Sequence, residues 1–318
     1  MIQYYTITDK KLVLCGDKKE DALWLHIEKP EIEEISEISK KFQLPSDYLT
    51  AILDDAENSR AEGLEQETFL RPVLLLLQFP YVSTSPSGYL QFETFPLSLI
   101  ITPDKKLISV SNYHPTFFSK LIQQPLPNND MSDRVNLTLE ILWHLVLTYN
   151  DHLRAIKGQV EKLEGQIQVS TQNKHLYQIM DIQKSLVLFE AATEANFNTL
   201  KELAHSPEFK KNHAYRNHLH DILVETEQST TSAKIHLKLV NQMTDIFSAI
   251  VSNNLNNVMK ILTSLTIVLT IPTIVGGFFG MNVKLPFASR ADAFFLISIA
   301  TLILCYITIY YLRKKDLL

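Results

Sequence analysis

The sequence is poor in the residues that staple, interrupt or catalyse. Among 318 residues there are 2 cysteines, Cys15 and Cys305. That is too few for a disulfide framework or a thiolate metal site, and both read as small apolar packing residues. Between Ser132 and Val275 the only glycines are Gly158 and Gly165, and Pro207 is the only proline before Pro272. That stretch offers few places to break a helix. No Gly-rich phosphate loop, nucleophile elbow or His-Glu metal motif occurs, which argues against an enzyme and against coupling to ATP hydrolysis. A net charge of −5 gives no electrostatic reason to expect nucleic acid as a partner. The start, Met1-Ile2-Gln3-Tyr4-Tyr5, has neither a basic n-region with an apolar core nor an Arg-rich transit character. The N-terminal region is therefore expected in the cytosol.

What the chain does have is two uncharged apolar runs near its end, residues 261–280 and 293–312, each of 20 residues. At about 1.5 Å per residue, a helix of about 20 residues spans a hydrocarbon core of about 30 Å. The chain is thus expected to cross a lipid bilayer twice, with an extracytoplasmic loop over 281–292. Arg313-Lys314-Lys315 follow the second run and fit the positive-inside rule, placing both termini in the cytosol. Lys284 and Arg290 in the loop weaken that count, so the orientation rests mainly on the missing signal.

The region 1–132 reads as a cytosolic α/β domain. Runs rich in β-branched and aromatic residues predict strands at 3–8, 11–15 and 23–27. Pro30 is expected to open a helix to about Phe42, with Ile32, Ile35 and Ile38 at helical spacing and acids in its first turn. A short helix is expected from Ser46-Asp47. Buried strands are predicted at 70–81 and 89–101, with another at 106–111, and Pro72 puts an edge or a bend at the start of the first. Beyond this domain, 133–205 reads as a long helical hairpin region and 206–260 as a stalk helix running unbroken into the first apolar run. Roughly 65 residues at 1.5 Å each make a rod on the order of 100 Å. Such a rod cannot bury itself alone, and is either a coiled-coil stalk or one stave of an oligomeric funnel.

One face of this rod carries Ser252, Asn256, Met259, Thr263, Thr266, Thr270, Thr273 and Gly277, at spacings of 4, 3, 4, 3, 4, 3 and 4. Lipid cannot satisfy polar groups, so such a stripe faces protein or a wet cavity. The alternative is helix packing, with threonines bonded to their own i−4 carbonyls. Two helices per chain cannot enclose a channel, so a pore requires a symmetric ring of subunits.

After the first run stands Gly280-Met281-Asn282. Its position between two apolar runs, at the end of a large polar region, resembles the Gly-Met-Asn signature of the CorA family of divalent-cation transporters. The likeness extends to Val251-Ser252-Asn253, Asn256-Asn257-Val258-Met259-Lys260 and Leu262-Thr263, similar to the entry of the CorA pore helix. Trp24-Leu25-His26-Ile27 before Pro30 matches in part the Trp-aliphatic-Asp-aliphatic opening of the family's cytosolic domain, with His26 in place of the acid. The resemblance implies a homopentameric funnel with an α/β cytosolic domain, stalk helices and two C-terminal transmembrane helices in the cell membrane. It implies influx of Mg²⁺, with Co²⁺ and Ni²⁺ following, gated by cytosolic Mg²⁺ that is both cargo and regulator, without an organic cofactor. It places the selectivity filter at Gly280, Met281 and Asn282, a hydrophobic gate at Met259 and Leu262, a pore-lining amide at Asn256, and polar pore positions at Thr270, Thr273 and Gly277. By physical role, Asn282 offers amides to a hydrated ion that keeps its waters, and Gly280 lets the backbone turn. The other reading is that Gly and Asn simply end a helix.

Asp221 matches the family's stalk acid, and Asp245 lies on the stripe seven residues before Ser252. A ring of like carboxylates would be held closed by bridging Mg²⁺. Asp54-Asp55 are the nearest candidates for partner acids in the N-terminal domain, and ordinary solvated acids are the alternative for all of these. His213, His218 and His220 cluster beside Asp221, and His218 with Asp221 could share a soft metal. Arg313, Lys314 and Lys315 resemble the family's basic collar. Two rival readings stand beside Mg²⁺ transport: a Zn²⁺ transporter of the ZntB type on the same fold, and a membrane-anchored coiled-coil scaffold without transport. The loop keeps the first rival open, since Lys284 and Arg290 against Asp292 give it a formal +1 where Mg²⁺ members often carry Glu.

Overall fold

The structure, a computed structural model, describes residues 1–15, 21–66, 69–127, 133–169, 172–283, 292–315 and 317. It divides into two units, Met1–Thr244 and Asp245–Leu318. The first is built on a seven-stranded sheet of order β2-β1-β3-β7-β6-β5-β4. Its strands are β1 (Ile2–Thr8), β2 (Lys11–Leu14), β3 (Trp24–Glu28), β4 (Arg60–Glu62), β5 (Val73–Thr84), β6 (Leu90–Ile101) and β7 (Leu107–Ser111). Only β3 and β7 pair in parallel; the other neighbours are antiparallel.

Strand alternation sends successive side chains to opposite faces. On one face Leu25, Ile27, Leu74, Leu76, Ile100, Ile108 and Val110 bury against α1 (Ile32–Phe42) and α2 (Asp47–Thr50) through Ile35, Ile38 and Leu49. On the other, Trp24 stacks on Tyr5 at 4.8 Å and meets Phe118 of α3 (Thr116–Gln123) edge-on at 5.0 Å. The same side takes α4 (Arg134–Val169) and α5 (Asn173–His205) across β5 and β6. Phe92 meets Phe189 at 5.8 Å there, and Tyr149, fully buried, donates from its hydroxyl to the Gln78 carbonyl at 3.0 Å. The β5–β6 hairpin turns at Gly88, whose φ of 82° is open to glycine at no steric cost.

After α6 (Pro207–Lys211), Asn212 accepts from the Ala214 amide at 3.0 Å and caps α7 (His213–Phe279), one helix of 67 residues. Its part in the first unit buries Leu219, Ile222, Thr226, Ser229, Ala233, Val240 and Met243. Their spacing, built from steps of three and four, makes one seam. Ser229 donates to Asn150 of α4 at 2.7 Å, and Gln183 of α5 donates to Asn241 at 2.7 Å.

Several expectations need correction. Pro30 lies outside α1, whose first turn is bridged by the Glu31 amide donating to the Glu34 carboxylate at 3.0 Å. Ile32 is 83% exposed because it sits at the helix start, beyond the sheet that covers Ile35 and Ile38. Of the two expectations for Pro72 the edge fails, since β5 is an interior strand, while the bend is present at Arg71 just before it. Neither β4 nor α3 was anticipated.

Candidate functional site

In the second unit, α7 from Asp245 to Phe279 packs with α8 (Ala293–Lys314). Both helices are long and apolar enough to cross a membrane. The covered face of α7 is Ser264, Val268, Ile271 and Val275, while that of α8 runs through Ile297, Thr301, Cys305, Thr308 and Leu312. Ser264 is buried and donates to the Leu317 carbonyl at 2.5 Å. Pro272 lies inside α7 without breaking it. Having no N–H, it leaves the Val268 carbonyl without its i+4 partner. The Cys305 thiol of α8 approaches that oxygen at 3.8 Å. Cys305 is therefore more than an apolar filler: it supplies a weak donor to a carbonyl that proline has orphaned.

Thr263, Thr266, Thr270, Thr273 and Gly277 are all exposed. At about 100° per residue their mean direction lies roughly 150° around α7 from the face that meets α8. Thr266, Thr270 and Thr273 donate to the carbonyls of Leu262, Thr266 and Leu269 at 2.8, 2.7 and 3.0 Å. Each hydroxyl proton is thus spent on the helix backbone, and the oxygen keeps lone pairs facing away from α8. Ser252, Asn256 and Met259 continue the stripe, with Leu262 beside it; Met259 and Leu262 are 51% and 55% exposed. Asn256 also borders a cleft with Asn253, Lys260 and Leu317.

Gly280-Met281-Asn282 ends α7. The Gly280 amide closes the last turn onto the Gly276 carbonyl at 2.9 Å, and Met281 donates to Phe278 at 3.3 Å. Gly280 is not at positive φ, so conformational freedom is not its reason for being glycine. A Cβ there would stand 3.2 Å from the Gly276 oxygen, a tight approach. Met281 and Asn282 are exposed. Lys284 and Arg290 lie outside the described residues.

The candidate regulatory acids are all exposed: Asp54 and Asp55 after the turn at Ala51–Leu53, Asp221 on the part of α7 in the first unit, and Asp245 at the start of the second. Asp54 accepts from the Ala56 amide at 3.0 Å and Asp55 from the Tyr113 hydroxyl at 3.2 Å. Among the described residues, the histidines beside Asp221 form no three-ligand set with it; His218 lies 6.2 Å from the Trp143 ring. Arg313, Lys314 and Lys315 close α8, where the helix dipole favours cations. The α8-facing seam of α7 escaped sequence reading, because Ile and Val surround the helix there on every side. Pro272 was its one signal, since a proline in an apolar helix asks which neighbour meets the freed carbonyl.

Residues 19–314 match the family described as CorA-like Mg2+ transporter protein. A cobalt/magnesium transport protein CorA of Methanocaldococcus jannaschii is 24% identical over 312 residues, covering 98% of this chain and 96% of its own. The complete structure of the CorA magnesium transporter from that organism superposes with a TM-score of 0.79 at 21% identity, covering 98% of this chain and 96% of that one. The ZntB cytoplasmic domain from Vibrio parahaemolyticus reaches a TM-score of 0.51 at 14% identity, over 76% of this chain and 97% of that one. A match spanning the α/β domain, the long helix and both apolar helices shows that the chain belongs to the CorA-like Mg²⁺ transporter family.

Proposed function

We propose that the chain forms a ring of subunits, a homopentamer as the family resemblance implies, that carries Mg²⁺ across the cell membrane into the cytosol, with Co²⁺ and Ni²⁺ as further cargo. The observation that carries this reading is the polar stripe on the side of α7 away from α8, exposed along its whole length. In a ring, that side lines the axis while α8 faces lipid. A hydrated cation points its water hydrogens outward, so its walls must accept hydrogen bonds. The back-bonded threonines are acceptors of this kind, and they suit an ion that dehydrates reluctantly. In this reading residues 261–280 and 293–312 cross the bilayer, 281–292 lie outside, and both termini are cytosolic. Asn282 offers one amide per subunit at the outer mouth beside Gly280 and Met281, and Met259 with Leu262 forms the apolar constriction. Asp221 and Asp245, with Asp54 or Asp55 as partners, hold Mg²⁺ between subunits in the closed state. Arg313, Lys314 and Lys315 form the collar at the inner face.

The test is Asn282→Ala reconstituted in liposomes. Mg²⁺ uptake should fall to background while the oligomer survives gel filtration; wild-type uptake would remove the filter from this position. A second reading, Zn²⁺ transport of the ZntB type, is favoured by the loop's formal +1 from Lys284 and Arg290 against Asp292. Uptake of Mg²⁺, Zn²⁺ and Co²⁺ compared with and without a pH gradient separates the two.

A further inference from the structure

The first unit gathers three metal-ligating side chains where the parallel pair β3–β7 ends, none of them a residue assigned a part in transport. His26 and Glu28 stand two apart on β3 and share a face. His114 follows β7, two residues before α3 begins. One ligand atom from each lies within 4.8 Å of the other two, and His114 Nδ1 is 2.9 Å from Glu28 Oε2. His26 is held rigidly: 2% exposed, it lies edge-on to Phe118 at 4.8 Å. Its Nδ1 is 2.9 Å from Ser109 Oγ, which also accepts from Trp24 Nε1 at 2.8 Å. His26 Nε2, however, is buried and has no hydrogen-bond partner. A buried polar atom left unpaired carries a desolvation cost and calls for a use. Metal-binding histidines are oriented by a hydrogen bond at the far nitrogen, and here Ser109 Oγ stands at that position.

We propose that His26, Glu28 and His114 bind a transition-metal dication, Zn²⁺ or Co²⁺, at a site separate from any that handles Mg²⁺. Two imidazoles and a carboxylate suit these ions, whereas Mg²⁺ takes oxygen ligands in an octahedron. Tetrahedral bonds of about 2.0–2.2 Å set ligand atoms about 3.3 Å apart. The site closes to that size by rotation of the Glu28 and His114 side chains, which are 29% and 49% exposed, while His26 stays. The fourth position is left to water. A site of this kind lets the first unit register a transition metal without competition from Mg²⁺.

The test uses the full-length chain in detergent, stripped by chelator and titrated calorimetrically with Zn²⁺ in millimolar Mg²⁺, with visible absorption of Co²⁺ as a second probe. Loss of an orienting partner alone costs a metal site about 10- to 100-fold in affinity, and loss of a ligand should cost at least as much. The expected result is a Zn²⁺ site weakened at least tenfold in both Glu28→Gln and His114→Ala, with the Co²⁺ bands altered in each. These two more exposed positions carry the test because His26→Ala risks the fold. Zn²⁺ affinity and Co²⁺ spectra unchanged in both variants, or Zn²⁺ displaced by Mg²⁺ in the wild type, would overturn the assignment. Neither measurement involves uptake, so the outcome is independent of the transport reading.

Discussion

The two units use the same polar side chains to opposite ends. In the first, amides and hydroxyls are consumed inside. Asn196 of α5 accepts from the Gln78 amide at 2.9 Å and donates to its carbonyl at 2.8 Å. It thereby stands in for a strand two residues beyond Arg60↔Leu76, where the β4 pairing stops. Ser185 accepts from the Phe92 amide at 2.9 Å and spends its proton on the Asp181 carbonyl at 2.8 Å. In the second unit Thr266, Thr270 and Thr273 spend their protons in the same i−4 way, yet their oxygens face away from α8. What differs between the two units is the direction of the lone pair left over, not the residue type.

Histidine makes the contrast testable, because residues 245–318 contain none. In the first unit burial lowers the pKa of His26, to about 4, and those of His152 and His236. Each folded pKa lies below the ordinary 6.5, so the unfolded chain binds more protons through this window. Stability is therefore full above about pH 6.5 and is lost as pH falls towards the folded pKa. For His26 alone the loss by pH 4 is on the order of 3 kcal/mol. Trp24 and Trp143 both lie in the first unit, so tryptophan fluorescence during urea unfolding reports on that unit. The urea midpoint should drop between pH 7 and pH 4.5, and less steeply in His26→Gln. Equal slopes in the two proteins would show that His26 does not set the acid limb.

Asn196→Ala should cost about 2–3 kcal/mol in the same assay, because it removes a partner from both backbone groups of Gln78 in the interior. Tyr149 still donates to the Gln78 carbonyl and limits the damage. A change under about 0.5 kcal/mol, the level of an ordinary surface substitution, would mean the strand-like role of Asn196 is wrong. Thr270→Val is the counterpart in the second unit. It keeps the shape, removes only an exposed hydroxyl bonded to its own helix, and should shift stability by less than about 0.5 kcal/mol. Mg²⁺ uptake should nevertheless fall several-fold, since the acceptor oxygen is lost from the stripe. Unaltered uptake would return the threonines to plain helix packing.

Legibility in the sequence divides along the same line. The strands at β1, β2, β3, β5, β6 and β7 and the helical character beyond residue 133 were readable, because apolar runs and period-2 and period-3.6 patterns report burial directly. β4 was not: Arg60-Ala61-Glu62 has no strand-like composition and is held by its register against Leu74–Leu76. α3 was hidden because Phe117, Phe118 and Leu121 are too short a run to show a period. In the second unit the stripe stood out as Thr against Ile, Leu and Val, whereas the α7–α8 seam did not, because both sides of it are apolar. The cluster of His26, Glu28 and His114 was invisible for another reason. His26 registered as a departure from a family pattern, but its partner His114 is 88 residues away and is brought to it only by the parallel pairing of β3 with β7.

The smallest expected effect tests whether the second unit has any interior chemistry of its own. Pro272 frees the Val268 carbonyl, and Cys305 is the side chain of α8 that reaches it. A thiol is a weak donor, so Cys305→Ala should destabilise the pairing of α7 with α8 by about 1 kcal/mol or less, with Cys305→Ser at or above wild type because a hydroxyl donates better. The order of stability Ser, Cys, Ala separates a hydrogen-bonding role from a packing role, since the smaller, more polar serine would rank below cysteine if volume alone mattered. Thermal stability of the detergent-solubilised protein, followed by gel filtration after heating, provides the ranking. Pro272→Ala supplies the cross-check: it restores the backbone donor to Val268, so the Cys305→Ala penalty should shrink in that background. An unchanged penalty would mean that Cys305 only fills space between the helices.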